Sequence, residues 1–350
     1  MMTDRNTTIA IGIVLVLVLV LATAFVIPGQ HGGEEKERIV VVYTSVDQVY
    51  SEPVFRAFEN ESGIRVLPAY DVEATKTTGL VNRLIAEKTR PQADVFWSGE
   101  FSQTIVLKNE NVLAPYRSLS ASDIPARFRD AEDTWTGFGG RARIFIVNTD
   151  LLSPDRYPDS VYDLLDEQYP GPSIGIAYPI FGTTATHAAA LYSYLGKERA
   201  HDLFAAASKR NIRVVDGNSV VRDLVADGQM AFGLTDTDDA CGAVESGKNV
   251  TIIIPDQKED QMGTLVIPNT VALIRGAPHP AEAKIFMDYL LDRKRESALV
   301  DSGWIQIPVR DIPPSPCVNV TGIKTIPLPY EDTFNALQPA QKDLTEIFIR

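Results

Sequence analysis

The sequence predicts an α/β fold in which two lobes are joined by two crossing strands. The chain has 350 residues, which suits two lobes of ordinary domain size. After residue 38, short apolar runs alternate with longer amphipathic stretches, as in parallel sheets that carry helices on both faces. Two strand-like runs, at 141–148 and 263–274, lie where the chain would cross to the second lobe and return.

The first lobe is predicted to begin with a buried strand at 39–43, where the sequence is IVVVY. A helix is predicted from 53 to 62, because Pro53 suits a first helical turn and apolar residues then recur on one face. The other predicted elements of this part are strands at 64–69 and 93–97 and a helix at 78–88.

The second lobe is predicted to alternate strands and helices in the same way. Its elements are strands at 173–177, 212–215 and 230–235 and helices at 184–195, 197–209 and 219–226. Helices at 281–291 and 331–349 follow the return crossing. The first lobe is therefore discontinuous: it comprises 39–140 and 265–350, and 141–264 is inserted as the second lobe. Ligands of open α/β sheets bind beyond the carboxyl ends of strands, so we expect a site in the cleft.

Residues 9–27 form an apolar segment without charged side chains. At about 1.5 Å per residue, a helix of this length nearly spans a bilayer core. The Ala-Thr-Ala sequence at 22–24 resembles a cleavage site, so the segment is either an uncleaved transmembrane anchor, which we favour, or a signal sequence. Both alternatives place residues 30–350 outside the cytoplasm. In the anchored form, residues 1–8 are cytoplasmic and 28–38 form a tether to the membrane.

The composition and the motifs exclude several functional classes. The formal net charge is −13 and the acidic residues are spread along the chain, which argues against binding to nucleic acid. The sequence contains no HExxH, GxSxG or P-loop motif, so we expect no enzyme. Cys241 and Cys317 form no metal-binding motif. They either pair in an oxidising compartment or stay unpaired and buried.

Two loops that open helices in the second lobe have the composition of an anion site. Gly182, Thr183 and Thr184 open one helix, and Asn218 and Ser219 open another. Helix starts present free N–H groups and the positive end of the helix dipole, which favour an anion. The alternative is that Thr183 and Asn218 are ordinary N-caps.

Carboxylates follow three predicted strands and would converge on the same cleft. Asp47 lies after the first strand between the polar residues Ser45 and Gln48, and Glu100 follows the third. Thr235, Asp236, Asp238 and Asp239 end the last strand of the second lobe. Such a cluster attracts a hard cation or an ammonium group. The alternatives are helix capping at Asp236 or Asp238 and an Asx turn at Asp47.

These segments resemble the ferric-iron-binding family of periplasmic solute-binding proteins, within the type II two-lobed class. The resemblance covers roughly 39–310 and depends on the order of several blocks, among them VVVYTSVDQVYSEPVF, PQADVFWSGE, GRARIFIVNTD and GNSVVRDLVADGQMAFGLTDTDDA. It implies a Venus-flytrap fold that closes on its ligand by a hinge. It also implies delivery to an ABC-type permease with a cytoplasmic ATPase, and we expect a monomer.

The residues of the family's iron site match this chain only in part. Asp47 stands where ferric binders commonly have histidine, and Glu100 corresponds to their glutamate after a one-residue shift. Thr237 and Asp238 stand at the positions of an adjacent tyrosine pair. The anion half matches better, since the family's Ser-Gly-Ala loop corresponds to 181–183. Two of its asparagines correspond to Asn218 and Thr235.

This mixture leads to two ligand hypotheses. One is a metal ion, such as ferric iron, held by Asp47, Glu100, Asp236 and Asp238, with a synergistic anion at Thr183, Thr184 and Asn218. The other is an organic cation or zwitterion, such as thiamine or an aminophosphonate, with its anionic group on the helix starts and its cationic group on the acids. An extracytoplasmic sensor domain is the alternative from another functional class.

Overall fold

The computed structural model describes residues 37–71, 78–319 and 322–349. The predicted cytoplasmic residues 1–8 and the apolar segment 9–27 lie outside the described residues, as does most of the predicted tether. Within the described ranges, no helix combines the length and the apolar character needed to cross a membrane.

Strands and helices alternate along the described residues, as the sequence predicts. In chain order they are β1 (Ile39–Thr44), α1 (Gln48–Ser62), β2 (Arg65–Tyr70), α2 (Thr78–Ala86), β3 (Val95–Ser98), α3 (Ser102–Asn109), β4 (Leu113–Ala114), β5 (Thr136–Asn148), β6 (Ile174–Ala177), α4 (Gly182–Leu195), α5 (Lys197–Lys209), β7 (Arg213–Val215), α6 (Asn218–Ala226), β8 (Phe232–Asp236), α7 (Thr237–Glu245), β9 (Val250–Ile253), β10 (Val266–Ile274), α8 (Pro280–Leu290), α9 (Arg293–Asp301) and α10 (Tyr330–Phe348). Short 3₁₀ turns occur at Leu119–Ala121, Ala126–Phe128, Pro154–Arg156, Val161–Leu165 and Gly171–Ser173.

Two parallel sets of strands are connected by two long antiparallel strands. The order of the main path is β2-β1-β3-β10-β5-β8-β6-β7. β1 is parallel to β2 and β3, and β6 is parallel to β7 and β8. β5 and β10 pair antiparallel with each other, and each also pairs with one parallel set. This connection matches the predicted pair of crossing strands, although both begin at positions different from those predicted.

The crossing strands are fixed at a bend around Gly139. The register of β5 and β10 shifts between Pro268 and Asn269, opposite Gly139. Gly139 has a φ of +35°, and a Cβ on it would lie 2.2 Å from the Ile305 side chain. Its N–H donates to the buried Glu296 carboxylate at 3.0 Å, and its carbonyl accepts from Asn269 at 3.0 Å. Only glycine fits this position, because any side chain would collide with the neighbouring core.

Helix α1 begins at Gln48, upstream of the start at residue 53 that the sequence predicts. The N–H groups of Tyr50 and Ser51 donate to the Asp47 carbonyl at 3.0 and 3.1 Å. A helical turn is therefore closed before Pro53. Proline has no backbone N–H, so one hydrogen bond is absent near the start of α1 while the rest of the helix is unaffected. The predicted start was wrong, and the earlier start places Asp47 and Tyr50 on the first turn.

Helix α10 connects parts of the chain that the sequence analysis assigned to different lobes. It packs against α4 and α5, where Asp343 accepts a hydrogen bond from the Tyr192 hydroxyl and lies 2.8 Å from His201 Nδ1. At its N-terminal end, the Tyr330 ring lies 4.4 Å from the Phe101 ring. The lobe boundaries at 140 and 264 stay a prediction.

The two cysteines form a disulfide bond. Cys241 lies on α7 and Cys317 in the segment that precedes α10, and their Cα atoms are 5.7 Å apart. The sequence left pairing and separate burial as equal alternatives, because the two residues are 76 positions apart. A disulfide indicates folding in an oxidising compartment.

Candidate functional site

A cavity of about 210 Å³ lies where β1 and β3 end and where α4 and α7 begin. Its walls combine acidic, basic, aromatic and small residues from distant parts of the sequence. The lining residues are Ser45, Val46, Asp47, Tyr50, Gly99, Glu100, Arg141, Gly182, Thr183, Asp238 and Trp304. A site of this composition can bind a small ligand that carries both signs of charge.

Arg143 of β5 is a fully buried cation behind this cavity. Its Nη1 lies 2.8 Å from Asp236 Oδ1, and the two side chains are 0% and 3% exposed. Nη1 also donates to Thr183 Oγ1 at 3.3 Å and to Asn218 Oδ1 at 3.1 Å, and Nη2 donates to Thr184 Oγ1 at 3.3 Å. A buried charge is tolerated only when it is paired and hydrogen-bonded, so this network holds α4, α6 and β8 together.

The same network occupies the hydrogen-bonding groups of Thr183 and Asn218, two of the residues predicted to bind an anion. The Thr183 hydroxyl donates to Asp236 Oδ2 at 2.5 Å and accepts from Arg143 and from Asn218 Nδ2. Asn218 Nδ2 also donates to Asp236 Oδ2 at 3.0 Å, and its Oδ1 accepts from Arg143 and Thr184. A hydroxyl has one proton and an amide nitrogen has two, so Thr183 and Asn218 have no side-chain donor left for a ligand.

Two groups on the cavity wall can donate to an anion: the Arg141 guanidinium and the backbone at the start of α4. Arg141 is 24% exposed, and its Nη1 lies 3.2 Å from Asp238 Oδ2. In α4, the N–H of Ala185 donates to the Phe181 carbonyl at 3.1 Å. The N–H groups of residues 182–184 precede this bond and have no partner within the helix. A guanidinium next to a helix N-terminus is a suitable environment for an anionic group.

Three aspartates meet at the junction of β8 and α7. Asp236, Asp238 and Asp239 each place one carboxylate oxygen within 4.8 Å of the others. Each also faces a different arginine: Arg143 for Asp236, Arg141 for Asp238, and Arg222, at 3.6 Å, for Asp239. The arginine that faces each aspartate offsets part of its negative charge, which lowers the attraction of this cluster for a highly charged cation.

Asp238 and Asp239 of this cluster have pKa values above the ordinary value of an aspartate. Burial raises the pKa of Asp239 to about 7, and the neighbouring carboxylates of Asp238 and Asp236 add to the shift. Burial also raises the pKa of Asp238, although Arg141 opposes the change. Asp239 is therefore partly protonated near neutral pH when the site holds no ligand.

We expect Asp239→Asn to make the protein more stable above neutral pH. The pKa of Asp239 in the folded protein is above its ordinary value of 3.8. The neutral carboxyl therefore contributes its full stabilisation of the folded state below about pH 4, and this contribution is lost as the pH rises through about 7. Asparagine keeps the neutral form at every pH. Urea denaturation should show that the variant gains stability relative to the wild type as the pH rises from about 4 to about 7.

The matched control for this prediction is Asp223→Asn, since Asp223 is an exposed aspartate that also faces Arg222. Its unfolding free energy should follow the wild-type pH dependence over the same range. Equal pH dependence for Asp239→Asn and the wild type would contradict the raised pKa of Asp239.

Glu100 and Asp47 line the cavity but also belong to helix starts. The Glu100 carboxylate accepts from the N–H groups of Ser102 at 2.6 Å and Gln103 at 2.9 Å, so it caps α3. Burial raises the pKa of Glu100, and those two N–H groups act in the opposite direction. Asp47 is exposed at the N-cap position of α1. Asp47 belongs to its helix start through its carbonyl and Glu100 through its carboxylate, and both carboxylates can face a ligand.

The structure distributes the remaining predicted site residues between the cavity wall, the interior and the surface. Ser45 lies on the wall, shares a hydrogen bond with Ser98 at 3.3 Å and accepts from the Gly99 N–H at 3.1 Å. Thr184, Thr235 and Asp236 are buried and do not line the cavity. Asn218 is half-buried and does not line it either. Gln48 and Ser219 are exposed and do not line the cavity.

Four residues at the site are not among those predicted from the sequence: Tyr50, Arg141, Arg143 and Trp304. The two arginines could have been recognised from the sequence pattern. They stand two residues apart in an apolar strand, so both lie on one face of it. Arginine is rarely buried without a partner, and two in such a strand indicate a polar site. Trp304 left no such signal, because it lies outside any helix or strand.

The model of the bacterial extracellular solute-binding protein family matches residues 91–321 of the chain. The chain belongs to this family. Among the relatives of this solute-binding protein is a periplasmic protein of Salmonella typhimurium named for binding 2-aminoethylphosphonate. It is 28% identical over 299 residues, which cover 80% of this chain and 81% of the relative. An Fe(3+)-binding periplasmic protein of Serratia marcescens is 22% identical over 264 residues, or 74% of this chain and 75% of the relative.

The fold of this solute-binding protein is that of known ferric binders. The ferric binding protein from Campylobacter jejuni superposes with a TM-score of 0.78 and 23% identity, over 88% of this chain and 99% of that one. The predicted fold of the type II periplasmic binding proteins is therefore confirmed, and so is the resemblance to the ferric-iron-binding family. These relatives are binding proteins rather than enzymes.

Proposed function

We propose that this solute-binding protein captures an aminophosphonate-like zwitterion outside the cell and passes it to an ABC-type importer. The ligand would carry a phosphonate or phosphate group at one end and an ammonium group at the other. One observation carries the proposal: a single cavity of about 210 Å³ is lined by Arg141 and the N-terminus of α4 together with Asp47, Glu100 and Asp238.

The anionic end of the ligand would bind Arg141 and the first N–H groups of α4. The guanidinium presents five donors, which match the oxygen atoms of a phosphonate. Gly182 lines the cavity at the helix start, where no side chain blocks the backbone N–H groups. The Arg143 network supports this arrangement, because it holds Thr183 against Asp236 and so fixes the first turn of α4.

The cationic end of the ligand would bind the carboxylates on the cavity wall. Asp238 Oδ1 is buried and has no hydrogen-bond partner among the described residues. A buried acceptor without a partner costs free energy, and a ligand ammonium group would satisfy it. An ammonium ion would also favour the charged form of Asp238, whose pKa burial has raised.

Calorimetric titration of the full chain tests this proposal. We expect 2-aminoethylphosphonate to bind with one-to-one stoichiometry. Ethylphosphonate lacks the ammonium group and ethanolamine lacks the phosphonate, so each leaves one set of buried charges unpaired. Each should bind at least about 100-fold more weakly than 2-aminoethylphosphonate.

The two truncated compounds serve as controls for each other. Equal affinity for ethylphosphonate and 2-aminoethylphosphonate would remove the ammonium subsite from the proposal. A heat of binding with ferric citrate and none with 2-aminoethylphosphonate would replace the zwitterion by a metal ligand.

Ferric iron with a synergistic anion is the second candidate ligand, and the three aspartates within 4.8 Å of one another favour it. Relatives named for ferric binding add support. The arginine facing each aspartate weighs against it, and so do Thr237 and Asp238 at the positions of the tyrosine pair. Asp47 and Glu100, which the sequence predicts as metal ligands, would contribute to this iron site.

The metal candidate has its own test. A ferric titration of the variant Asp236→Ala plus Asp238→Ala should give no binding if these carboxylates hold iron. A ferric signal that persists in this variant would exclude the metal site as proposed.

The family of the protein supports a proposal about its partners. We infer delivery to a membrane permease with a cytoplasmic ATPase, and we expect a monomeric binding protein. Relatives named as periplasmic support a position outside the cytoplasm. Anchoring to the membrane through residues 9–27 is part of this proposal. Crosslinking the protein to the permease in membranes, with and without ligand, would test the partnership.

A further inference from the structure

A second, apolar cavity adjoins the candidate ligand site. It has a volume of about 390 Å³ and lies between α1, α8 and α9. Tyr50 and Trp304 line both this groove and the ligand cavity. The two spaces therefore share these two aromatic side chains as part of their walls.

The aromatic pair has a defined geometry. The ring centroids of Tyr50 and Trp304 lie 6.0 Å apart with an interplanar angle of 29°. Trp304 is fixed from behind by Trp97, whose ring it meets edge to face at 5.6 Å. Tyr50 is 45% exposed, so its ring can move while the tryptophan stays in place.

The rest of the groove is mostly apolar and open to solvent. Pro53, Val54 and Leu299 line it, and so does Val49, which is 71% exposed. Arg295 at the rim is engaged by the Tyr289 ring, at 4.4 Å from its centroid, and by Glu61. The groove therefore offers apolar surface, and the one charged residue in its lining already has partners.

The groove meets the ligand cavity beside Asp47, one of the carboxylates proposed to bind the ligand ammonium group. Tyr50 lies on the first turn of α1, three residues after the cavity residue Asp47. The anion-binding groups of the cavity, Arg141 and the start of α4, come from other elements. A substituent that enters the groove would therefore leave the ligand from its nitrogen atom, and aromatic faces bind alkylated ammonium groups well.

We propose that the groove is a subsite for an apolar substituent on the ligand nitrogen, so that the substrate class includes N-substituted aminoalkyl phosphonates or phosphates. The Tyr50 and Trp304 rings contact the ammonium group, and the substituent packs on Val54 and Leu299. This inference rests on the proposed zwitterion site and adds a second, apolar part to it.

Calorimetry with the full chain tests the subsite, using 2-aminoethylphosphonate and its N-benzyl derivative. We expect the N-benzyl compound to bind the wild type at least about fivefold more tightly, because the ring is removed from water. The variant Ala298→Phe fills the groove from the exposed face of α9. It should weaken the N-benzyl compound at least about tenfold and change 2-aminoethylphosphonate less than about twofold.

The matched control is Ala281→Phe, at an exposed alanine of α8 outside the groove lining, which should change neither affinity. Weaker binding of the N-benzyl compound than of 2-aminoethylphosphonate to the wild type would overturn the subsite and leave the proposed function intact. An Ala298→Phe protein that keeps both affinities but loses transport in cells would instead make the groove a protein contact. Binding of neither compound would overturn both proposals, and binding of the N-benzyl compound alone would support the subsite.

Discussion

Replacing Arg143 with methionine is expected to lower the free energy of unfolding by about 3–5 kcal/mol. Arg143 and Asp236 are both buried, and the substitution leaves the aspartate without its partner. Thr183, Thr184 and Asn218 lose the donor that holds them together. The loss of this donor would also release the first turn of α4. Urea denaturation followed by far-ultraviolet circular dichroism gives the free energy directly.

Two further variants separate the charge from the packing. In Arg143→Met plus Asp236→Leu both charges are removed, so most of the lost stability should return. Arg222→Met removes an arginine that is 30% exposed and should cost less than about 1 kcal/mol. A loss of less than 1 kcal/mol for Arg143→Met itself would contradict the network described around this residue.

Replacing Arg141 with methionine is expected to weaken binding of 2-aminoethylphosphonate at least about 100-fold, or about 2.7 kcal/mol. Arg141 lies on the cavity wall, and its loss removes the cation that would face the phosphonate. Asp238 would then repel the ligand anion without compensation. Calorimetric titration of the purified variant measures the change, and its thermal unfolding shows whether the fold persists.

Arg222→Met is the matched control for ligand binding. Arg222 faces the same aspartate cluster but does not line the cavity. Its affinity for 2-aminoethylphosphonate should stay within about threefold of the wild type. Unchanged ligand binding by Arg141→Met would show that the ligand anion does not depend on Arg141. The start of α4 would then be the principal anion contact.

Most of the fold could be predicted because its strands and helices follow simple hydrophobic patterns. The runs at 39–44, 174–177 and 232–236 are apolar and bounded by turn residues, and the structure forms strands there. The start of α1 was missed because a proline stands inside that helix. Helix α9 was missed as well, since its sequence RKRESALVD is mostly polar and lacks a regular apolar face.

The loops of the candidate site could be predicted, but the contacts within it could not. The carboxyl ends of parallel strands meet at one edge of a sheet, which is why Ser45, Asp47 and Glu100 share a cavity. Which donor satisfies Thr183 or Asn218 depends on the path of β5, which the sequence pattern does not specify. The role of Arg143 follows from the register of β5 and β8, where Arg143 pairs with Asp236.

The disulfide between Cys241 and Cys317 has a consequence for how the protein is made. The bond encloses β9, β10, α8 and α9, so it can close only after all of these elements have reached an oxidising compartment. Protein produced in a reducing cytosol would contain two free thiols at this position. The mobility of the oxidised and reduced chains in a non-reducing gel would therefore distinguish exported molecules from those retained inside the cell.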